Sequence, residues 1–118
     1  RFAVLFLDCD RFKMINNSLG YIVGDELLKA LARRLENKLS ASDILARIGD
    51  DEFAILLTEI PDINSATQLA ERILAALTHP FHLREREVFM STSIGIAWSR
   101  PDYTQAEHIL RDADTAMS

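Results

Sequence analysis

The chain has 118 residues, 26% of which are charged, and its formal net charge at pH 7 is −5. This length indicates one domain, which would bury about two-thirds of the surface that the unfolded chain exposes. The acidic balance and the absence of a lysine and arginine stripe argue against nucleic-acid binding. No apolar run is long enough to span a membrane, so no membrane contact is expected. A single cysteine permits no internal disulfide, which suits a reducing, cytoplasmic location.

The first predicted element is a β-strand over residues 2–7, a run of six apolar residues that leads into Asp8, Cys9 and Asp10. Because side chains alternate along a strand, Asp8 and Asp10 should point to one side and Cys9 to the other. Mg²⁺ prefers oxygen ligands and often takes one or two carboxylates, and the backbone carbonyl of Cys9 could join them. The Asp-x-Asp pattern also occurs in turns and helix caps, so it predicts a metal site only together with a second acidic segment.

Residues 23–39 are predicted to form a helix, because leucines recur there at helical spacing. The second acidic segment follows at residues 47–53 (RIGDDEF), between runs 43–46 and 54–57 that are typical of buried strands. Glycine and aspartate tolerate the positive φ angles of a tight hairpin. Adjacent carboxylates repel one another unless a cation or a hydrogen-bond donor compensates them. The hairpin and Asp8 therefore predict a two-part metal site, and a merely solvated acidic turn is the alternative.

The second half of the sequence alternates helices with strands. A capping-box pattern that begins at Ser65 would open a helix. Strands are predicted over residues 81–84 and 88–99, and a second capping box at Thr104 would open a last helix. A tight hairpin within such an order favours a mixed or mostly antiparallel sheet with flanking helices. The predicted fold class is therefore α+β, of the ferredoxin-like or polymerase-palm-like type.

Several of these segments, in this order and spacing, resemble the motifs of the GGDEF domain family. The matching positions are residues 8–16, Gly20, Gly24, Asp25, Leu28, the hairpin 47–53, residues 93–97 (SIGIA) and residues 113–117 (ADTAM). The resemblance covers essentially the whole chain, so we expect residues 1–118 to form a single GGDEF domain. It implies a bacterial cyclic di-GMP signalling domain, since intact members are diguanylate cyclases, nucleotidyltransferases that condense two GTP into cyclic di-GMP.

The resemblance implies a metal and catalytic centre in the acidic segments. Asp8 and Asp51 match the carboxylates that bind Mg²⁺ or Mn²⁺, and the carbonyl of Cys9 matches a third ligand. Glu52, next to Asp51, matches the acid that activates the attacking 3′-hydroxyl. In this reaction the 3′-oxygen attacks the α-phosphate of a second GTP, and metal ions stabilise the attacking and leaving oxygens.

The resemblance also implies a binding site for GTP. Asn16 and Asp25 match the pair that reads the edge of guanine. A carboxylate suits that role because guanine presents N1–H and N2–H₂ donors, and an amide can donate as well as accept. Lys13 matches a lysine that contacts phosphate, and a solvated surface lysine is the alternative for this residue.

Three positions depart from the family pattern. Asp50 stands where the family has the second glycine of its hairpin motif, Asn17 replaces an aspartate, and Tyr21 replaces a histidine. A carboxylate about 4 Å from a phosphate oxygen costs on the order of 4 kcal/mol at an effective dielectric of about 20. We therefore expect a GTP-binding, regulatory domain with weak or absent cyclase activity. An active diguanylate cyclase is the alternative, and a nucleotide-free dimerisation module is a weaker one.

The resemblance also sets expectations about regulation and neighbouring domains. Residues 40–43 (SASD) align with the family's R-x-x-D product-binding site but lack the arginine, which predicts no product inhibition there. Catalysis in this family needs a homodimer, since each domain holds one GTP. The family's N-terminal and C-terminal motifs are missing, so we expect a domain truncated at both ends. An attached EAL-type phosphodiesterase and an upstream sensor domain are the expected partners.

Overall fold

The computed structural model describes residues 2–99. Its helices and strands, in chain order, are β1 (Ala3–Cys9), α1 (Phe12–Leu19), α2 (Tyr21–Glu36), β2 (Ile44–Arg47), β3 (Glu52–Leu57), α3 (Ile63–Ala76), β4 (Phe81–Leu83), β5 (Arg86–Val88) and β6 (Thr92–Trp98). The last predicted helix, with its capping box at Thr104, lies outside the described residues. Within residues 2–99, none of the helices is long and apolar enough to cross a membrane.

Strand β1 lies inside a four-stranded sheet with the order β2-β3-β1-β6, and all three strand pairs are antiparallel. Its apolar run explains this position, because a strand that is covered on both faces needs apolar side chains throughout. Ala3, Leu5 and Leu7 are completely buried in the main core, and Val4 and Phe6 are buried in a second cluster. Strands β4 and β5 form a separate two-stranded sheet. The predicted α+β class with a mostly antiparallel sheet is confirmed.

A corner between α1 and α2 was not predicted from the sequence. Only two residues of α1, Phe12 and Ile15, are buried, so its apolar stripe is too short to stand out among polar neighbours. Gly20 has a φ of 91°, a value that side chains disfavour, and it turns the chain from α1 into α2. Helix α2 buries the predicted leucines at positions 27, 28, 31 and 35, although it covers Tyr21–Glu36 instead of residues 23–39.

Two predicted boundaries in the second half are wrong. The capping box at Ser65 does not open α3, which begins at Ile63 after Asp62. Ser65 lies inside the first turn, where its N–H donates to the carbonyl of Asp62 (3.3 Å). Asp62 is itself a preferred N-cap residue, so it competes with Ser65 for the start of the helix. The single strand predicted over residues 88–99 is interrupted at residues 89–91, and its second part pairs with β1 as strand β6.

Candidate functional site

Three carboxylates meet at the end of β1. Asp8 pairs directly with Glu52 in the β1–β3 register, and directly opposed side chains of an antiparallel pair lie close together. The backbone N–H of Cys9 donates to the carbonyl of Asp51 (2.9 Å), which holds the hairpin turn beside the end of the strand. One carboxylate oxygen from each of Asp8, Asp51 and Glu52 lies within 4.8 Å of the other two, and all three residues are half-buried. We call these three residues the acidic cluster.

The acidic cluster suits a hard divalent cation such as Mg²⁺, because all of its donor atoms are oxygens. The thiol of Cys9 is not a competing ligand. Cys9 is 2% exposed, and burial, followed by the charges of Asp51, Asp8 and Asp10, raises the pKa of its thiol to about 12. Because this side chain is buried in the main core, any contribution of Cys9 must come from its backbone carbonyl.

Asp10 is separated from the acidic cluster, although it shares the Asp-x-Asp pattern with Asp8. Its carboxylate accepts hydrogen bonds from the hydroxyls of Ser93 (2.8 Å) and Ser91 (3.3 Å). Its backbone N–H donates to the carbonyl of Ser91 (3.1 Å). Asp10 therefore ties the end of β1 to the start of β6 and not to the hairpin.

Arg47 holds the hairpin turn, a role that the sequence analysis missed. Its Nε donates to the carbonyl of Gly49 (3.0 Å), and its Nη2 donates to the carbonyl of Asp50 (2.8 Å). The N–H of Ile48 also donates to the carbonyl of Glu52 (3.0 Å). An arginine two residues before a glycine turn could have suggested this role, since a forked guanidinium can reach two adjacent carbonyls.

Two cavities open beside the acidic cluster. The first, of about 610 Å³, is lined by the acidic cluster together with Lys13 and Asn17, and we call it the acidic cavity. The second, of about 660 Å³, is lined by Asp25 and Arg47 among others, and we call it the corner cavity. Because four residues line both cavities, the two are neighbours along one groove. These shared residues are Phe12, Asn16, Tyr21 and Asp50.

The two residues predicted to read a base lie differently in this groove. Asp25 is exposed, and its carboxylate lies 3.4 Å from the ammonium of Lys29, one turn further along α2. An exposed pair of this kind is weak, so Lys29 does not prevent the carboxylate from accepting other hydrogen bonds. The Oδ1 atom of Asn16 is buried and accepts no hydrogen bond from the described residues. A buried amide oxygen without a donor is costly, which marks Asn16 as a functional candidate.

Comparisons with known proteins agree with the fold and with the motifs. The family model "Diguanylate cyclase, GGDEF domain" matches residues 1–118. The chain is 41% identical over 116 residues to the diguanylate cyclase TpbB of Pseudomonas aeruginosa, covering 98% of this chain and 27% of TpbB. It is 40% identical over 117 residues to MucR of the same organism, a bifunctional diguanylate cyclase/cyclic di-GMP phosphodiesterase, covering 99% of this chain and 17% of MucR.

Further comparisons include a phosphodiesterase and a crystal structure. The chain is 37% identical over 115 residues to the cyclic di-GMP phosphodiesterase NbdA of P. aeruginosa, covering 98% of this chain and 15% of NbdA. The crystal structure of the TpbB GGDEF domain gives a TM-score of 0.94 at 41% identity, covering 98% of this chain and 73% of that chain. The chain therefore belongs to the GGDEF domain family of cyclic di-GMP signalling, as its motifs predicted. It spans between 15% and 27% of the length of these three curated relatives.

Proposed function

We propose that this domain binds one GTP together with a divalent metal ion and serves as a regulatory domain, with weak or absent diguanylate cyclase activity. The observation that carries this proposal is the groove between the acidic cluster and Asp25, with Asn16 and Asp50 lining both of its cavities. Its two ends differ chemically in the same way as the two ends of a nucleotide. One end suits metal-bound phosphates, and the other suits the hydrogen-bonding edge of a base.

At the phosphate end, Asp8 and Asp51 would hold Mg²⁺ or Mn²⁺, and the carbonyl of Cys9 would complete the protein ligands. Such an ion, when bound, neutralises phosphate charge and polarises the phosphoryl group. Lys13 is exposed and lines the acidic cavity, where its ammonium would add a positive point charge for the phosphates. Glu52, beside Asp51, would accept the proton of an attacking 3′-hydroxyl at its carboxylate.

At the base end, Asn16 and Asp25 would recognise guanine. The exposed carboxylate of Asp25 can accept from the neighbouring N1–H and N2–H₂ donors of guanine. Adenine lacks this pair of donors and presents a ring nitrogen that would repel the carboxylate. Asn16 can donate to the base through its amide nitrogen. This pairing favours GTP over ATP by at least about tenfold.

Asp50 is the reason to expect weak catalysis. Its side chain is exposed and lines both cavities, so it lies beside the path from the base to the phosphates. Its repulsion of a phosphate, on the order of 4 kcal/mol at about 4 Å, is partly offset when one nucleotide binds with its metal ion. Cyclisation requires two domains to face each other as a homodimer, with a GTP in each. Asp50 would then oppose the approach of the second nucleotide.

An active diguanylate cyclase is the second candidate, because the chain is 41% identical to TpbB, which is a diguanylate cyclase. The likeness to NbdA, a cyclic di-GMP phosphodiesterase, supports the regulatory role. We propose by analogy that the domain works beside an EAL-type phosphodiesterase and an upstream sensor domain. A nucleotide-free dimerisation module is the least favoured candidate, since it gives no reason for the acidic cluster and Asp25 to line one groove.

Calorimetric titration of the complete protein with GTP and with ATP, each with excess Mg²⁺, tests the proposed function. We expect one GTP to bind per domain, at least about tenfold more tightly than ATP. Asp25→Asn should weaken GTP binding more than ATP binding. Asp43→Asn, in the loop before β2, is the matched control and should change neither affinity. Binding of neither nucleotide, or equal binding of both, would contradict the proposal.

A further inference from the structure

We infer that Gly24 is a positioning residue that sets the amide of Asn16 for base recognition, an inference that rests on the proposed GTP site. Gly24 is buried in α2, where it lies against residues of α1. A helix interior is an unfavourable place for glycine, and alanine is the best residue there. A glycine at this position therefore calls for a reason in the packing around it.

The space beside Gly24 is filled by Asn16. A Cβ atom built on Gly24 would overlap the Oδ1 atom of Asn16 and would lie 2.9 Å from its Cγ atom. The Cε1 atom of Phe12 would be 3.5 Å from this Cβ, which is an ordinary contact distance. A methyl group at position 24 would therefore displace the amide of Asn16 and little else.

This slot beside Gly24 orients the amide. The Oδ1 atom of Asn16 accepts no hydrogen bond from the described residues, so packing against Gly24, and not a polar partner, holds the oxygen in place. With its oxygen buried, Asn16 has its amide nitrogen left to face the two cavities that it lines. Gly24 thereby makes Asn16 a hydrogen-bond donor towards the base, next to the acceptor Asp25.

The variant Gly24→Ala, made in the complete protein, tests whether packing against Gly24 orients the amide of Asn16. Its methyl group should force the amide of Asn16 to rotate away, so the dissociation constant for GTP should rise about five- to tenfold, the equivalent of one hydrogen bond. Asn16→Ala should weaken GTP binding by a similar factor. In the double variant the two losses should not add, because the change at position 24 then has no amide to displace. A merely structural role of Gly24 would not produce this non-additivity.

The thermal midpoints of the same four proteins give an independent readout. In the Asn16→Ala background, Gly24→Ala should raise the midpoint by about 4 °C, through helix propensity alone. With Asn16 present, the rise should be smaller or reversed. If Gly24→Ala does not fold, recovery of folding in the double variant supports the inference that Gly24 leaves space for the amide of Asn16. If the double variant also fails to fold, the inference is overturned.

The binding experiment separates this inference from the proposed function. Additive losses, or an unchanged GTP affinity in Gly24→Ala, would overturn the inference and leave the preference of the wild-type protein for GTP over ATP intact. A wild-type protein that binds no GTP would overturn both.

Discussion

The two ends of the groove are built by different means. The acidic cluster is held by strand pairing, since Asp8 faces Glu52 across the β1–β3 ladder and the N–H of Cys9 binds the carbonyl of Asp51. The base end is held by the packing of two helices, α1 and α2, which meet at Gly20. A ladder fixes its register because a slip of one residue turns every side chain to the other face. Packed helices have no such register, and their crossing geometry varies more continuously.

This difference predicts which substitutions each end of the groove tolerates. At the acidic cluster the backbone is secured by the ladder, so function should depend on charge more than on side-chain size. At the base end, function should depend on the charge of Asp25 and, in addition, on the size of a single side chain, as proposed for Gly24. Substitutions that change only charge, or only size, therefore test whether the two ends of the groove differ in this way.

Asp50 brings a charge into the middle of the groove, and Asp50→Gly should have the largest effect. The change removes a repulsion of up to about 4 kcal/mol, so cyclic di-GMP synthesis should rise about a hundredfold or more from a low level. Because two domains must meet, product formation should grow more than linearly with protein concentration while dimers are scarce. Chromatography of the product at several protein concentrations measures both effects.

The matched control for this prediction is Asp50→Asn, which keeps the size of the side chain and removes its charge. It should give most of the same increase if charge is the obstacle. An increase with glycine alone would identify side-chain bulk as the obstacle and would weaken the comparison between the two ends. Full cyclase activity of the wild-type protein, unchanged in Asp50→Gly, would favour the active cyclase.

Asp8→Asn should weaken Mg²⁺ binding at least about tenfold, because it removes a charged ligand from the acidic cluster while keeping the shape of the side chain. Asp10→Asn is the matched control. The carboxylate of Asp10 is bound by the hydroxyls of Ser93 and Ser91, so this variant should keep its Mg²⁺ affinity. Displacement of bound Mn²⁺ by Mg²⁺, followed by electron paramagnetic resonance, measures the Mg²⁺ affinity of both variants. Equal losses of Mg²⁺ affinity in the two variants would show that Asp10 contributes to metal binding as much as Asp8 does.

The acidic end of the groove was predictable from the sequence because its signals are local. An apolar run that ends in Asp8 indicates a strand end, and a Gly-Asp pair between two strands indicates a hairpin. The separation of Asp8 from Asp10 was not predictable, since it depends on the hydroxyls of Ser91 and Ser93, just before and within β6, which lie far along the chain. The turn contacts of Arg47 were missed for a related reason, because they depend on which way the backbone carbonyls of the turn point.

The base end of the groove was harder to predict from the sequence. Asn16 and Asp25 were singled out through the family resemblance, and their neighbourhood depends on α1, which the apolar pattern did not predict. The role inferred for Gly24 follows from one interatomic overlap, which no spacing rule contains. The predicted start of α3 was wrong because Asp62 and Ser65 are both good N-cap residues. The local sequence does not show which of the two precedes the helix.

Arg34 of α2 lies outside both cavities and tests whether stability and binding are separable. Its guanidinium donates hydrogen bonds to carbonyls at and just after the C-terminal end of α3. The central carbon of the guanidinium lies 3.6 Å from the centre of the Phe81 ring. Arg34→Ala should lower the free energy of unfolding by about 2–3 kcal/mol and leave the affinity for GTP unchanged. Urea unfolding and calorimetry measure the two quantities. The hydrogen bonds lost are those from its guanidinium to the carbonyls of Ala76 (3.1 Å), His79 (2.7 Å) and Pro80 (3.0 Å).

The neighbouring Arg33 is exposed on α2, so Arg33→Ala serves as the control and should change the stability little. A loss of GTP affinity in folded Arg34→Ala would show that the far end of α2 influences the base end. The base end would then depend on the whole length of α2 and not only on its contact with α1.

Arg47→Lys should have the smallest effect. A lysine ammonium keeps the charge but cannot reproduce the two-carbonyl contact of the guanidinium with Gly49 and Asp50. Because Arg47 is exposed and the β1–β3 ladder stays intact, we expect a loss of at most about 1 kcal/mol in the free energy of unfolding. The affinity for Mg²⁺ should fall by no more than about threefold, and Arg33→Lys, outside the turn, should change neither quantity. A loss of Mg²⁺ affinity of tenfold or more would mean that one side chain, and not the ladder, holds the acidic cluster. Both ends of the groove would then depend on single side chains.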